Sequence, residues 1–422
     1  MTQHSNNTWK EVQLGDHVDL LTGYPFKSKQ FTQDDNDIRL LRGDNVAQGF
    51  LRWNEAKRWS RKEYEAYSSC HLQKGDVILA MDRPWISAGL KYAWIKDSDL
   101  PCLLVQRVAR LRGTDGLLTD YLRYVIGSHD FTNHVLSITT GVNVPHISGR
   151  DIKAFRFKLP PEPVQERAVS ILSAYDDLIE NNMRRIEILE EMARRLYEEW
   201  FVHFRFPGHE EVSFKESELG EIPEGWKPVA FSEVASFMNG FAFKPSHFTD
   251  DGLPVIKIKE LKSGVTADTP RCSGEVKEKY LVKDGDVLFS WSAHLDAYIW
   301  RGGEGWLNQH LFKVDGVDGI PKSFLYFSLK EKMVDFRAKS MGTTMQHIKR
   351  SALNEVKFPM AAESLTSKFD DLVTPILNQV LLLQRKNGNL RAQRDLLLPK
   401  LVSGEIDVSG IPMPEDKEVE AA

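Results

Sequence analysis

From Pro163 to Phe204 the chain carries apolar residues at alternating steps of three and four: Leu172, Tyr175, Ile179, then, past Asn182, Ile186, Leu189, Ala193, Leu196 and Trp200. That spacing draws a single stripe along a helix. Charged residues such as Glu180, Arg184, Glu187, Glu191, Arg194 and Glu198 cover the remaining surface, and no glycine interrupts the run. Roughly 40 residues at ~1.5 Å each make a rod on the order of 60 Å, far longer than an average helix. Such a stripe needs a partner. A second pattern offers one: Phe369, Val373, Ile376, Val380, Leu383, Asn387, Leu390, Arg394, Leu397 and Leu401 repeat the alternation, which stops at Ser403-Gly404. Each stripe holds one Asn, and a buried Asn can fix the register of a coiled coil at some cost in stability. The rods are expected to pair with each other through Ile179, Asn182, Ile186, Leu189 and Leu196 on one and Ile376, Val380, Leu383, Asn387 and Leu390 on the other. The alternative is that each stripe faces a globular core of its own.

A chain of 422 residues, 41% hydrophobic and 27% charged, is long enough for two or three domains of ordinary soluble composition. No apolar run approaches the ~18 residues of a membrane span, and the polar start MTQHSNNTWK is unlike a signal peptide, so a cytoplasmic location is expected. Cys70, Cys102 and Cys272 support neither a disulfide framework nor a zinc cluster. The formal net charge is −5; residues 1–160 hold 22 Lys+Arg against 18 Asp+Glu, and residues 207–360 hold 20 against 22. Any contact with nucleic acid must therefore come from local patches rather than bulk charge.

The chain repeats itself. Trp9-Lys10 matches Trp226-Lys227, and Gly23-Tyr24-Pro25-Phe26-Lys27 matches Gly240-Phe241-Ala242-Phe243-Lys244. In the same order follow Leu41-Arg42 with Ile256-Lys257, Gly75-Asp76-Val77 with Gly285-Asp286-Val287, and Gln106 with Gln309. His146-Ile147 with His347-Ile348, Phe157 to Pro160 with Val356 to Pro359, and Tyr175-Asp176-Asp177-Leu178 with Phe369-Asp370-Asp371-Leu372 complete the series. A tandem duplication explains this, each copy being a globular domain followed by a long helix. Within the globular parts, Asp76–Ala80, Leu103–Leu111, Val255–Ile258 and Asp286–Trp291 read as strands, and Thr119–Ile126 and Pro321–Arg337 as helices. SELGEIPEGWKP reads as a linker.

Catalytic motifs are scarce. There is no GxxxxGK[ST] loop, no GxGxxG after a strand, no HExxH, and no Asn/Asp-Pro-Pro-aromatic motif of the kind that methylates a base amino group. Asp251 with Glu260 and Lys262 has the residue types of a metal-dependent nuclease, but the repeat counterparts of the last two are Asn45 and Ala47, which could not do that work. More informative are loops that recur with polar groups. Tyr24 with Lys27, and Phe243 with Lys244, follow a glycine and could place a phosphate contact beside a stacking group; an aromatic plugging the core beside an exposed Lys is the alternative. Thr139, Thr140, Asn143 and His146, and Thr343, Thr344, Gln346 and His347, mix hydroxyls, amides and imidazoles that can address base edges, or simply cap the next helix. Arg42 and Lys257, matched by the repeat, and Arg83 and His294, in loops where the copies diverge, as in Met81 to Trp85 against Trp291 to Leu295, are further candidates.

Two variable domains separated by similar long helices, the linker SELGEIPEGW and the terminal LLLPKLVSGEIDV together resemble the specificity subunits of Type I restriction-modification enzymes, from Trp9 to Val408. The first helix ends in Tyr197-Glu198-Glu199-Trp200-Phe201 where the second has Leu397-Leu398-Pro399-Lys400-Leu401, so the two ends need not engage partners identically. The resemblance implies an α+β chain with two similar mixed α/β target recognition domains, at 1–160 and 226–360, and helical spacers at 161–206 and 361–405 forming an antiparallel coiled coil. A linker at 207–225 and a flexible tail at 406–422 complete the expected division. It also implies a non-catalytic reader of double-stranded DNA that takes a bipartite asymmetric target and binds two methylation subunits and the restriction subunits. S-adenosylmethionine, ATP and Mg would sit on those partners, none on this chain. A stand-alone nuclease using Asp251, Glu260 and Lys262, or a coiled-coil adaptor binding only proteins, are the competing readings.

Overall fold

A computed structural model describes residues 9–86, 89–138, 145–340 and 347–413. The chain forms two compact units, Met1–Ile179 with Asn389–Ala422, and Glu180–Gly388.

In the first unit, strands Val18–Thr22, Val108–Gly113, Val77–Ala80 and Tyr92–Trp94 make an antiparallel sheet in that spatial order. A smaller sheet runs Arg58–Trp59, Ile38–Leu41, Cys102–Leu104, its last two strands parallel. Lys10–Gln13 pairs with Arg156–Leu159. The strand Val77–Ala80 is uninterruptedly apolar because both its faces are covered: Val77 and Leu79 join the core around Tyr121 and Phe131, while Ile78 and Ala80 join the core around Leu40 and Trp59. The second unit has the same plan. Ala235–Asn239, Leu311–Gly316, Val287–Ser290 and Asp296–Ile299 form the larger sheet in the corresponding order. Arg271–Cys272, Leu253–Ile256, Gly305–Leu307 and Leu281–Val282 form the smaller one, and Lys227–Ala230 pairs with Lys357–Met360.

Repeated residues do repeated jobs. Gly75 and Gly285 adopt φ of 86° and 90°, values that favour glycine, and the Asp after each takes the backbone N–H of the residue three positions back, Gln73 or Lys283. Gly23 and Gly240 are not flexible joints. A Cβ on Gly23 would lie 2.5 Å from the Leu104 carbonyl, and one on Gly240 2.3 Å from the Asn308 carbonyl, so both exist because two backbones touch there.

The first long helix spans Glu162–Tyr197 and continues into a π-helical turn at Glu198–Val202; the second spans Glu363–Ser403 and ends before Gly404, whose φ is 77°. In the second unit Asn182 meets Asn387, Ile186 packs with Val380 and Leu383 beside half-buried Leu189, and Tyr197, Trp200 and Phe201 reach Phe369. In the first, Arg394 bonds Asp176, and Ala168 and Leu172 share a core with Leu401 and Val402. Within both units rising numbers on one helix meet falling numbers on the other, so the pairing is antiparallel. Ile179 is buried, and Leu196, Ile376 and Leu390 are half-buried. Near the π-helical turn the buried position is Tyr197 rather than Leu196, because an α-helix drifts against a strict three-and-four stripe.

Several segments differ from expectation. Leu103–Leu111 is two strands, split at Arg107, whose φ is 65°. Val255–Ile258 ends as strand at Ile256 and enters the helix Ile258–Ser263; Pro321–Arg337 is two helices, Lys322–Glu331 and Met333–Ala338. The linker contains a hairpin, Phe214–Ser217 with Gly220–Pro223, held by fully buried Ile222. In the tail expected to be flexible, Val408 is buried and Ile406 packs on the first unit's core.

Candidate nucleic-acid interface

In the first unit four separate segments converge on one concavity of about 320 Å³, lined by Arg42, Asp82, Arg83, Lys91 and Arg107 among others. Backbone bonds assemble it: Val105 N–H donates to Leu41, Gln106 N–H to Tyr24, Met81 N–H to Arg107, and Arg83 N–H to Pro145. Asp82 is its centre, since one carboxylate oxygen bonds His146 Nδ1 at 2.7 Å and both accept from Arg107 Nη1, at 3.0 and 2.9 Å. Burial pushes the Lys91 ammonium below the ordinary lysine range, with Asp44 opposing the shift. Arg42 pairs with Asp44 at 3.3 Å. Arg83 and Arg107 have φ of 44° and 65°, a region costly for residues with side chains. Tyr24 is 46% exposed, its ring leaning on Phe26 and Tyr67; Phe26 plugs the core, and Lys27 lies exposed beside it.

The second unit repeats this backbone with other side chains. Gln309 N–H donates to Phe241, Asn308 N–H to Ile256, and Ile348 N–H to Trp291. The bridge between Asp82 and His146 recurs as one between Ser292 and His347. His310, at the position of Arg107, has Nδ1 3.5 Å from Ser292 Oγ. Burial, with Lys262 nearby, pushes the His294 imidazole below its ordinary value, and the His294 backbone N–H donates to the Ser292 carbonyl. Phe243 is half-buried between the rings of Phe241 and Phe248; Lys244 is exposed; Lys257 Nζ lies 4.6 Å over the Phe248 ring.

Thus Arg42, Arg83 and His146 come together around Asp82, and His294 and His347 around Ser292. Thr139, Thr140, Asn143, Thr343, Thr344 and Gln346 lie outside the described residues. Asp82 and Arg107 escaped sequence reading because neither is repeated in the second copy; the only signal was their place beside the repeated Gln106 and the divergent loop after Met81.

The residues suggested for a nuclease have another occupation. Glu260 is 1% exposed, takes the Lys257 N–H at 3.0 Å and the Thr269 hydroxyl at 3.3 Å, and so caps its own short helix. Asn45, its counterpart, takes the Arg42 N–H in the same way at 2.9 Å. Among the described residues no group of His, Cys, Asp and Glu is arranged to hold a metal ion, and no helix is long and apolar enough to cross a membrane.

Comparison with known proteins agrees with this picture. Residues 6–191 and 223–362 each match the Type I restriction modification DNA specificity domain. The chain is 24% identical over 362 residues to the Type I restriction enzyme MjaIX specificity subunit of Methanocaldococcus jannaschii, covering 82% of this chain and 81% of that one. It is 37% identical over 175 residues, 41% of this chain and 28% of the other, to the EcoAI specificity subunit of Escherichia coli. The crystal structure of the S subunit of a Type I restriction-modification system from M. genitalium superposes with a TM-score of 0.58 at 15% identity, covering 95% of this chain and 98% of that one. With two copies of this domain on two like-folded units, the chain belongs to the Type I restriction-modification specificity subunits, which recognise DNA and carry no catalytic centre of their own.

Proposed function

We propose that the chain reads a bipartite, asymmetric DNA target, one globular domain per half-site, and scaffolds two methylation subunits and the restriction subunits in the cytoplasm. S-adenosylmethionine, ATP and Mg act on those partners. The observation that carries this reading is the pair of sites just described: one backbone frame, used twice, with Arg107, Asp82 and His146 in one copy and His310, Ser292 and His347 in the other. Identical frames with different hydrogen-bonding groups suit two different base sequences. Exposed Lys27 and Lys244 serve as phosphate contacts that hold each domain on the duplex. Helices of 36 and 41 residues, roughly 54 and 61 Å at ~1.5 Å per residue, are long enough to act as a ruler for half-sites about 34 Å apart.

Mapping methylated adenines genome-wide, in cells with and without this chain, tests the reading. A split motif that vanishes with the chain is expected. Exchanging residues 1–160 for the segment of a relative should replace one half of the motif; an unchanged motif would refute the assignment. Removing one heptad near residue 185 should alter the gap and leave both halves intact.

A further inference from the structure

We infer that Arg107 is a base-reading residue of the first domain, and that Asp82, itself held by His146, is the positioning residue that aims it. The inference rests on the DNA-reading function above and names the group that decides part of its specificity.

Arg107 sits in the turn that splits the two strands, with left-handed φ, where a glycine would be at ease. Its 61% exposed side chain is nonetheless not left to wander, because Nη1 lies between both oxygens of Asp82. Asp82 is in turn fixed by His146 Nδ1 from a segment 64 residues away. Among the described residues no protein group takes the Nε and Nη2 side of the guanidinium. An arginine whose one end is anchored by a carboxylate presents its remaining planar fork in a set direction. That is what a bidentate contact to guanine O6 and N7 requires. Arg42, Arg83 and Lys91 line the same concavity and, with Arg107, outnumber its two carboxylates, Asp44 and Asp82, a balance that favours a polyanion. The second domain supports the choice by contrast: its Asn308–Ile256 and Gln309–Phe241 backbone bonds match Val105–Leu41 and Gln106–Tyr24 while Arg107 is replaced by His310 and Asp82 by Ser292, so the side chains vary where this backbone does not.

The test uses the full chain assembled with its methylation subunits and a library of duplexes randomised at both half-sites, with the bound fraction sequenced. The wild-type assembly should select a split motif. Arg107→Ala should flatten preference for guanine at a single position of one half by roughly 5- to 150-fold and leave the other half untouched. Arg107→Lys keeps the charge without the planar fork, so it should lose the same preference while the salt dependence of binding stays near wild type. Asp82→Ala should weaken that one preference partially, and thermal unfolding should be little changed in all three variants. If the wild type selects a motif and the Arg107 variants keep every preference, or lose all of them together, the assignment is wrong. A wild-type assembly that selects no motif would overturn the DNA-reading function and this assignment with it.

Discussion

Asn182 Nδ2 donates a hydrogen bond to Asn387 Oδ1 at 2.9 Å in the second unit, with the two residues 9% and 2% exposed. Their neighbours are apolar, Ile186 on one helix and Leu383 on the other, so this is a polar contact inside a hydrophobic seam. Replacing Asn387 by Leu leaves Asn182 buried without this partner and should cost about 1–3 kcal/mol. Replacing both should recover most of that loss and relax the choice of register. Urea unfolding of the single and double variants checks the expectation; equal losses in the two would refute it.

Gly23→Ala and Gly240→Ala should each destabilise by about 1–3 kcal/mol, because the added methyl meets a backbone carbonyl that cannot step aside. Melting temperatures measure it. A neutral effect at both sites would mean that the loops can open, contrary to the close approach seen here.

Much of this could be read from residue order alone. The shifting offsets between copies anticipated two like-folded units, and the two Asn residues anticipated the partnered seam. What sequence could not show was convergence. Asp82, Arg107 and His146 lie far apart in the chain and meet because backbone bonds join Met81 to Arg107 and Arg83 to Pro145. The break at Arg107 inside an apolar run was equally hidden, since nothing in Val105-Gln106-Arg107 signals a left-handed turn. Glu260 had the residue type of a ligand because capping and metal binding use the same carboxylate, and its burial together with its bonds to the Lys257 N–H and the Thr269 hydroxyl separates them.

Glu260→Ala should cost about 1–2 kcal/mol through loss of the cap, and Glu260→Gln, which still offers an acceptor, should cost less. Added Mg or Mn should shift the melting temperature of wild type and variants equally. A metal-dependent rise confined to wild type would revive the nuclease reading.

Asp286 should make the second unit acid-sensitive. Burial raises the carboxyl pKa, but hydrogen bonds from Lys313 Nζ, the Lys283 N–H and Lys322 Nζ outweigh it and hold the group below its ordinary value. The unfolded chain therefore binds this proton more readily than the folded one. The stabilisation is complete above about pH 4 and is lost as pH falls through the folded value. Asp286→Asn should cost about 2 kcal/mol at neutral pH, and the gap to wild type should narrow by pH 3 in urea unfolding.

Lys27→Ala and Lys244→Ala should weaken binding of the assembled complex to all duplexes alike and each lower the salt slope by about 1, leaving the selected motif unchanged. Titrations at several salt concentrations decide this.

The first unit joins two stretches lying on either side of the second, which is one uninterrupted stretch, Glu180–Gly388. A ribosome therefore delivers everything the second unit needs before it has finished the first. The domain ahead of the first long helix emerges early yet waits for Leu401, Val402 and Val408, translated after the whole second unit, to seal its core. A stop ahead of Leu401 would thus damage the part of the protein that was made first.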